Sequence, residues 1–237
     1  MSFPAFSRPA RRITLPALLP LLLGLMLPAG TAQIVEVVNT PIREFEGHTA
    51  RIWSAAFSPD GTRVLTGSAD TTARLWDAAA AMEIRWFERH TESISSVAFS
   101  PDGTKVLTGS DDETARLWNA ATGDEIQRFE GQIVRVNSVA FSPDGTQVLT
   151  GHWDLDQTAR LWDAADGEEI QRFEGHTDIV YAVAYSPDGT QVLTGSGDST
   201  ARLWNAATGD EIHKFEGAYG YRLLRGILAR RHRGAYG

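Results

Sequence analysis

The sequence predicts an all-β protein, with four complete four-stranded sheets stacked like propeller blades and the set of blades incomplete. Three observations carry this. The string AFSPDGT begins at Ala56, Ala98 and Ala140 and returns as AYSPDGT at Ala184, at spacings of 42, 42 and 44 residues. A fixed period of this length marks a repeat architecture. Each copy alternates short β-branched and aromatic runs with Pro, Gly, Asp and Asn, the pattern of strands joined by tight turns. Four short antiparallel strands cannot bury both faces alone, so neighbouring copies must cover one another.

The chain begins with Arg8, Arg11 and Arg12, followed by the apolar run ITLPALLPLLLGLMLPAG and small residues around Thr31 and Ala32. This order reads as a secretory signal peptide over residues 1–32, cleaved near Ala32. The run is short for a membrane span, and Pro16, Pro20 and Pro28 interrupt it; a bilayer asks for about 20 apolar residues. The expected mature protein is therefore secreted or periplasmic, with no membrane association after cleavage. Arg11-Arg12 loosely resembles a twin-arginine export signal, but its flanking residues match poorly. Residues 33–41 read as a linker.

Residues 42–217 hold the four repeats, with units beginning near residues 45, 87, 129 and 173. The fourth copy shows the pattern most fully. IVYAVAY, QVLTG, TARLW and EIHKF are its strands, and SPDG, GSGDS and NAATGD are its turns. In SPDG the Asp-Gly pair suits a tight hairpin, because Gly accepts positive φ without a Cβ penalty.

Composition narrows the function. All thirty acids lie between Glu36 and Glu216, and that stretch carries 14 − 30 = −16. Such a charge excludes a phosphate-backbone binder, since nucleic-acid affinity rests on Lys and Arg. The absence of cysteine removes disulfides, thiolate metal sites and cysteine nucleophiles. There is no Gly-rich phosphate loop, no Gly-x-Ser-x-Gly and no His-Glu-x-x-His, and the glycines are read as turn markers.

Gly47-His48 with Trp76-Asp77, and Gly175-His176 with Trp204-Asn205, resemble the Gly-His and Trp-Asp marks of WD-repeat (WD40) proteins. The resemblance covers Ile42 to Gly217 and implies a β-propeller that binds proteins or peptides without catalysis or cofactor. It implies that His48, His90 and His176 hydrogen-bond to Asp70, Asp112 and Asp198, to the hydroxyls of Thr66, Thr108 and Thr194, and to the indoles of Trp76, Trp118 and Trp204. It also implies that Ile42 to Phe45 is an outer strand in need of a neighbour. A catalytic triad of His176, Ser196 and Asp198 is disfavoured by its own recurrence, since a catalytic site is normally built once per fold.

The third copy departs from the pattern, with Gln132-Ile133 in place of His-Thr and HWDLDQ in place of SADT or SDDE. Its network is expected to be incomplete. Two readings stand: a less stable blade, or a rim given to binding through His152 and Trp153 in an enlarged turn. His152, Asp154 and Asp156 within one loop are read as solvated rather than as metal ligands, so no metal is assigned.

The binding surface is sought where the repeats differ within a constant frame. Those positions are Arg51 and Trp53, Ser93 and Ser95, Arg135 and Asn137, Ile179 and Tyr181, together with His152 and Trp153. In proteins this chain resembles, that ring faces the partner. Trp, Tyr and Arg anchor interfaces, although a single aromatic packs between blades about as readily. Arg74, Arg116, Arg160 and Arg202 recur in every ARLW and are assigned to structure or surface pairing.

Residues 218–237 carry five arginines and no acid where the period requires another His-Thr and SPDGT. Codons permitted by this tail, read one base later, encode HTGIVYSVAYSPDGT, one unassigned residue and VLTG, against HTDIVYAVAYSPDGTQVLTG at His176 to Gly195. The expectation is a frameshifted fifth repeat, and with it a truncated propeller whose open edges permit self-association or strand exchange. The functional expectation is a non-catalytic scaffold outside the cytoplasm. The alternatives are an accessory or regulatory propeller of a larger enzyme, or a non-functional truncated gene product.

Overall fold

The computed structural model describes residues 44–131, 134–153 and 156–217. The signal peptide, the linker, Ile42, Gln132, Ile133, Asp154 and the tail 218–237 all lie outside the described residues. Chain contacts separate Met1–Thr40 from Pro41–Gly237, and every described residue belongs to the second unit.

That unit contains four antiparallel sheets, each made by one repeat in simple up-and-down order. Blade 1 is β1 (Ile52–Phe57), β2 (Arg63–Ser68), β3 (Ala73–Asp77) and β4 (Glu83–Phe87). Blade 2 is β5 (Ile94–Phe99), β6 (Lys105–Ser110), β7 (Ala115–Asn119) and β8 (Glu125–Phe129). Blade 3 is β9 (Val136–Phe141), β10 (Gln147–His152), β11 (Ala159–Asp163) and β12 (Glu169–Phe173). Blade 4 is β13 (Val180–Tyr185), β14 (Gln191–Ser196), β15 (Thr200–Asn205) and β16 (Glu211–Glu216). The fold class read from the sequence is thus present, as four blades of four strands.

The SPDGT turn closes the first hairpin of every blade. In blade 1 the Ser58 N–H donates to the Arg63 carbonyl at 2.9 Å and the Gly61 N–H to the Ser58 carbonyl at 2.9 Å. Gly61 stands at φ +70°, where a side chain would be strained. The Asp60 carboxylate accepts from the Ser58 hydroxyl at 2.5 Å, the Thr62 N–H at 3.1 Å and the Thr62 hydroxyl at 2.9 Å. These donors hold the Asp60 carboxyl down at about 2.

The core lies between the blades. Leu65, Leu75 and Phe87 of blade 1 pack against Ile94, Val106 and Trp118 of blade 2. Leu107, Leu117 and Phe129 meet Val136, Val148 and Trp162 in the same way, as do Leu149, Leu161 and Phe173 with Val180, Val192 and Trp204. At about 25 cal/mol per Å² of apolar area removed from water, this repeated burial is the main force holding the stack. Hydroxyls add a bond at each junction: the N–H groups of Val97, Val139 and Val183 donate to Ser54, Ser96 and Ser138 of the preceding blade, at 3.2, 3.1 and 3.2 Å.

Contrary to the expectation from sequence, not every glycine marks a turn. Gly67, Gly109 and Gly151 lie within β2, β6 and β10. A Cβ on them would sit 2.7–2.8 Å from methyl groups of Val97, Val139 and Val183. They are required for close approach of the next blade's inner strand.

Candidate functional site

Three blades share one buried network, built between the loop that enters the blade and its second and third strands. In blade 2 the Trp118 Nε1–H donates to the Thr108 hydroxyl at 2.9 Å, and Thr108 Oγ1 lies 2.7 Å from His90 Nε2. His90 Nδ1 lies 2.7 Å from the Asp112 carboxylate. Each atom finds a complementary partner when His90 is neutral with its proton on Nδ1, a tautomer assigned from the network. His48 with Thr66, Asp70 and Trp76 repeats these contacts, and so does His176 with Thr194, Asp198 and Trp204.

Burial pushes the imidazoles of His90 and His176 below the usual histidine value, outweighing the neighbouring carboxylates. Burial by itself would raise Asp198. The bonds it accepts from Thr200, His176 and the Thr177 N–H prevail and hold it at about 2. Asp70 and Asp112 are lowered by the same balance. Ser196 does not complete a triad: its hydroxyl donates to the Asp178 carbonyl at 2.9 Å and accepts from the Asp198 N–H at 3.1 Å.

Blade 3 is built differently. Trp162 still donates to Thr150 at 2.9 Å, but no histidine reaches that hydroxyl among the described residues. Asp156 takes the position held by Asp112 in blade 2: the Thr158 hydroxyl donates to it at 2.5 Å, as the Thr114 hydroxyl donates to Asp112 at 2.6 Å. Its other oxygen accepts from Arg160, which also donates to Glu169 at 3.0 Å and to the Gly131 carbonyl at 3.2 Å. An Arg–Asp ion pair thus stands where the other blades use a histidine ring against the aspartate.

His152 departs from the rim assignment. It ends β10, buried where the other blades carry Ser68, Ser110 and Ser196. Neither ring nitrogen has a hydrogen-bond partner among the described residues, and Nδ1 stands 3.9 Å from the Asp156 carboxylate. Burial lowers its pKa to about 4. No group of three acidic or histidine side chains suited to a metal occurs among the described residues.

The remaining rim positions fall into two kinds. Trp53, Ser95, Asn137 and Tyr181 occupy equivalent places on the inner strands, and the pairing register slips at that point in each blade. Such a bulge re-aims its side chain. Ser95 and Asn137 use the position for cross-links between blades, donating to the carbonyls of Val136 at 2.5 Å and Val180 at 3.4 Å. Trp53 and Tyr181 place large aromatic rings there, 51% and 42% exposed. The Arg51 guanidinium lies 4.9 Å from the centre of the Trp53 ring. Trp153, 38% exposed, meets Tyr181 edge to face at 6.2 Å.

Arg135 is exposed and 3.4 Å from Asp111. Ser93 turns its carbonyl to the Asp111 N–H at 2.9 Å, and Ile179 offers its carbonyl to Gly197 at 2.9 Å. The ARLW arginines pair within their blades: Arg74, Arg116 and Arg202 reach Glu83, Glu125 and Glu211 at 2.6 Å.

Sequence comparison agrees with this geometry. Residues 39–77, 82–119, 123–163 and 167–205 match the WD40 family model, described as WD domain, G-beta repeat. A WD40 repeat-containing protein, HOS15, of Arabidopsis thaliana is 39% identical over 46 residues, 19% of this chain and 8% of that protein. A serine-threonine kinase receptor-associated protein of Dictyostelium discoideum is 44% identical over 43 residues, 18% of this chain and 15% of that protein. The chain thus matches well under two thirds of either relative's length.

Proposed function

The chain belongs to the WD40 repeat family, and on that premise we propose that it is a non-catalytic platform for an extended peptide or protein segment. The binding elements are Arg51 with Trp53 and Trp153 with Tyr181. One observation carries this reading: at one bulged position of four equivalent inner strands, two blades use a short polar side chain as a cross-link and two present a large exposed aromatic. Exposed aromatics beside arginines on a rigid frame are the residues that anchor interfaces. The repeated His–Thr–Trp networks hold that frame and leave the rim free to vary.

Export belongs to the same proposal and rests on residues 1–32. N-terminal sequencing of the exported product should begin near Gln33; a product found only inside cells with Met1 retained contradicts it. The basic tail as a shifted fifth repeat is tested by sequencing the DNA beyond the Phe215 codon. The binding reading is tested by peptide selection on the full chain, followed by Trp53→Ala and Tyr181→Ala. Both should weaken the selected peptides at least about tenfold, the loss of one buried aromatic anchor, with unchanged melting. Peptides that bind both variants like the wild type refute the rim assignment.

A further inference from the structure

We infer that the two end faces of the blade row are a docking pair for a second copy of this chain, blade 4 of one copy seated on blade 1 of the next. The chain builds the same junction three times internally, and among the described residues the first and the last blade each retain one half of it. Every blade offers two leucines and an outer-strand phenylalanine to the blade that follows. In blade 4 these are Leu193, Leu203 and Phe215. Phe215 is 41% exposed, whereas Phe87, Phe129 and Phe173 are buried. Every blade receives its predecessor on an inner-strand aliphatic and an aromatic. In blade 1 these are Ile52 and Phe57, both exposed, with Phe57 at 60%, whereas Ile94, Val136, Val180 and Tyr185 are buried.

The turns match as well. A Cβ on Gly103, Gly145 or Gly189 would meet Pro59, Pro101 or Pro143 of the preceding blade at 3.3–3.4 Å, while Gly61 has nothing within 4 Å. Pro187 of a second copy fits that place. On the outer side, Arg85 donates to the Thr122 carbonyl at 2.7 Å and Gln127 to the Asp166 carbonyl at 3.2 Å. His213 holds the matching position of blade 4, and Ala80 that of Thr122 in blade 1.

Two features make this junction weaker than the internal ones. Ala182 stands where the hydroxyls of Ser54, Ser96 and Ser138 accept an N–H bond from the next blade. Phe45 already packs on Trp76, with ring centroids 5.7 Å apart, so Phe45 and Phe215 contend for one slot. The contact is therefore reversible. Because it is head to tail, two copies close on each other if the rotation allows, and otherwise the row continues.

The absence of cysteine makes a direct test possible. A Cβ on Gly67 lies 3.5 Å from Ile94 Cβ, and one on Gly109 lies 3.4 Å from Val136 Cβ, close to disulfide geometry. The matching positions across the inferred contact are Gly195 and Ile52. Full chains carrying Ile52→Cys and Gly195→Cys separately, mixed and oxidised, should give a mixed covalent dimer. Gly67→Cys with Ile94→Cys should close within one chain and serves as the control. Wild-type chain should sediment as two or more copies, and Leu203→Asp should weaken association about tenfold or more with an unchanged circular dichroism spectrum, since it places a charge in an apolar contact. A covalent ladder from the double variant supports the same junction. A monomeric wild type at the highest soluble concentration, closure of Ile52→Cys with Gly195→Cys inside one chain, or no cross-link while the control forms would each overturn the inference.

Discussion

Replacing Thr108 by Val removes one hydroxyl at nearly constant volume and tests the logic of the blade network. That hydroxyl serves both Trp118 and His90. Thr150, its counterpart in blade 3, serves Trp162 and no histidine among the described residues. Both threonines are fully buried, and both also lie 3.4–3.5 Å from an arginine carbonyl, so these effects cancel in a comparison. A buried polar group left without its partner costs about 1–3 kcal/mol. Thr108→Val strands two such groups and should cost about 2–6 kcal/mol, whereas Thr150→Val strands one and should cost about 1–3 kcal/mol. Urea unfolding followed by circular dichroism measures both, with slopes compared as well as midpoints because repeat arrays need not unfold in two states. In a His90→Ala background, Thr108→Val should fall to the cost of Thr150→Val. Equal costs in the wild-type background would refute the claim that the histidine bond carries the difference.

Three further outcomes are expected. The His152 pKa is about 4 in the folded chain against an ordinary 6.5, so its stabilising effect is complete above about 6.5 and is lost as pH falls toward 4. Urea midpoints between pH 7.5 and 4.5 should therefore fall less steeply for His152→Ser, the residue of the other blades; an unchanged slope contradicts this. His90 and His176 act with the same sign, whereas the carboxylate of Asp198, held at about 2, loses its effect only below the usual carboxylate range. Gly109→Ala should destabilise by about 1–3 kcal/mol through overpacking at the blade 2–blade 3 contact, and Gly61→Ala by about 1 kcal/mol, because only its left-handed backbone is strained. Similar thermal shifts for the two would remove close approach as the reason for Gly109.

Much of this architecture was legible because each repeat states it independently. The four strands read from the fourth copy lie within a residue or two of Val180–Tyr185, Gln191–Ser196, Thr200–Asn205 and Glu211–Glu216. The SPDG turn was legible because Pro, Asp and Gly each have one backbone role there. The packing role of Gly67, Gly109 and Gly151 was not, since it depends on a valine of the next repeat, Val97, Val139 or Val183, lying against it. An available signal was that these glycines sit inside the VLTG strand rather than beside Pro or Asp. His152 was misplaced for a related reason. An insertion in a turn reads as an exposed loop, but the added residues follow β10 and leave His152 in the buried serine position. The capture of Asp156 by Arg160 follows from the missing loop histidine and could be located only once the third strand's register was known.

The central claim, that the bulged inner-strand positions form the binding surface, is tested most directly by oxidative footprinting of the full chain with a selected peptide bound. The account predicts protection of Trp53, Trp153 and Tyr181 while the exposed outer-strand residues Trp86, Ile126 and Ile170 stay as reactive as in the free chain. Protection confined to those outer strands, with Trp53 and Tyr181 unchanged, would contradict it.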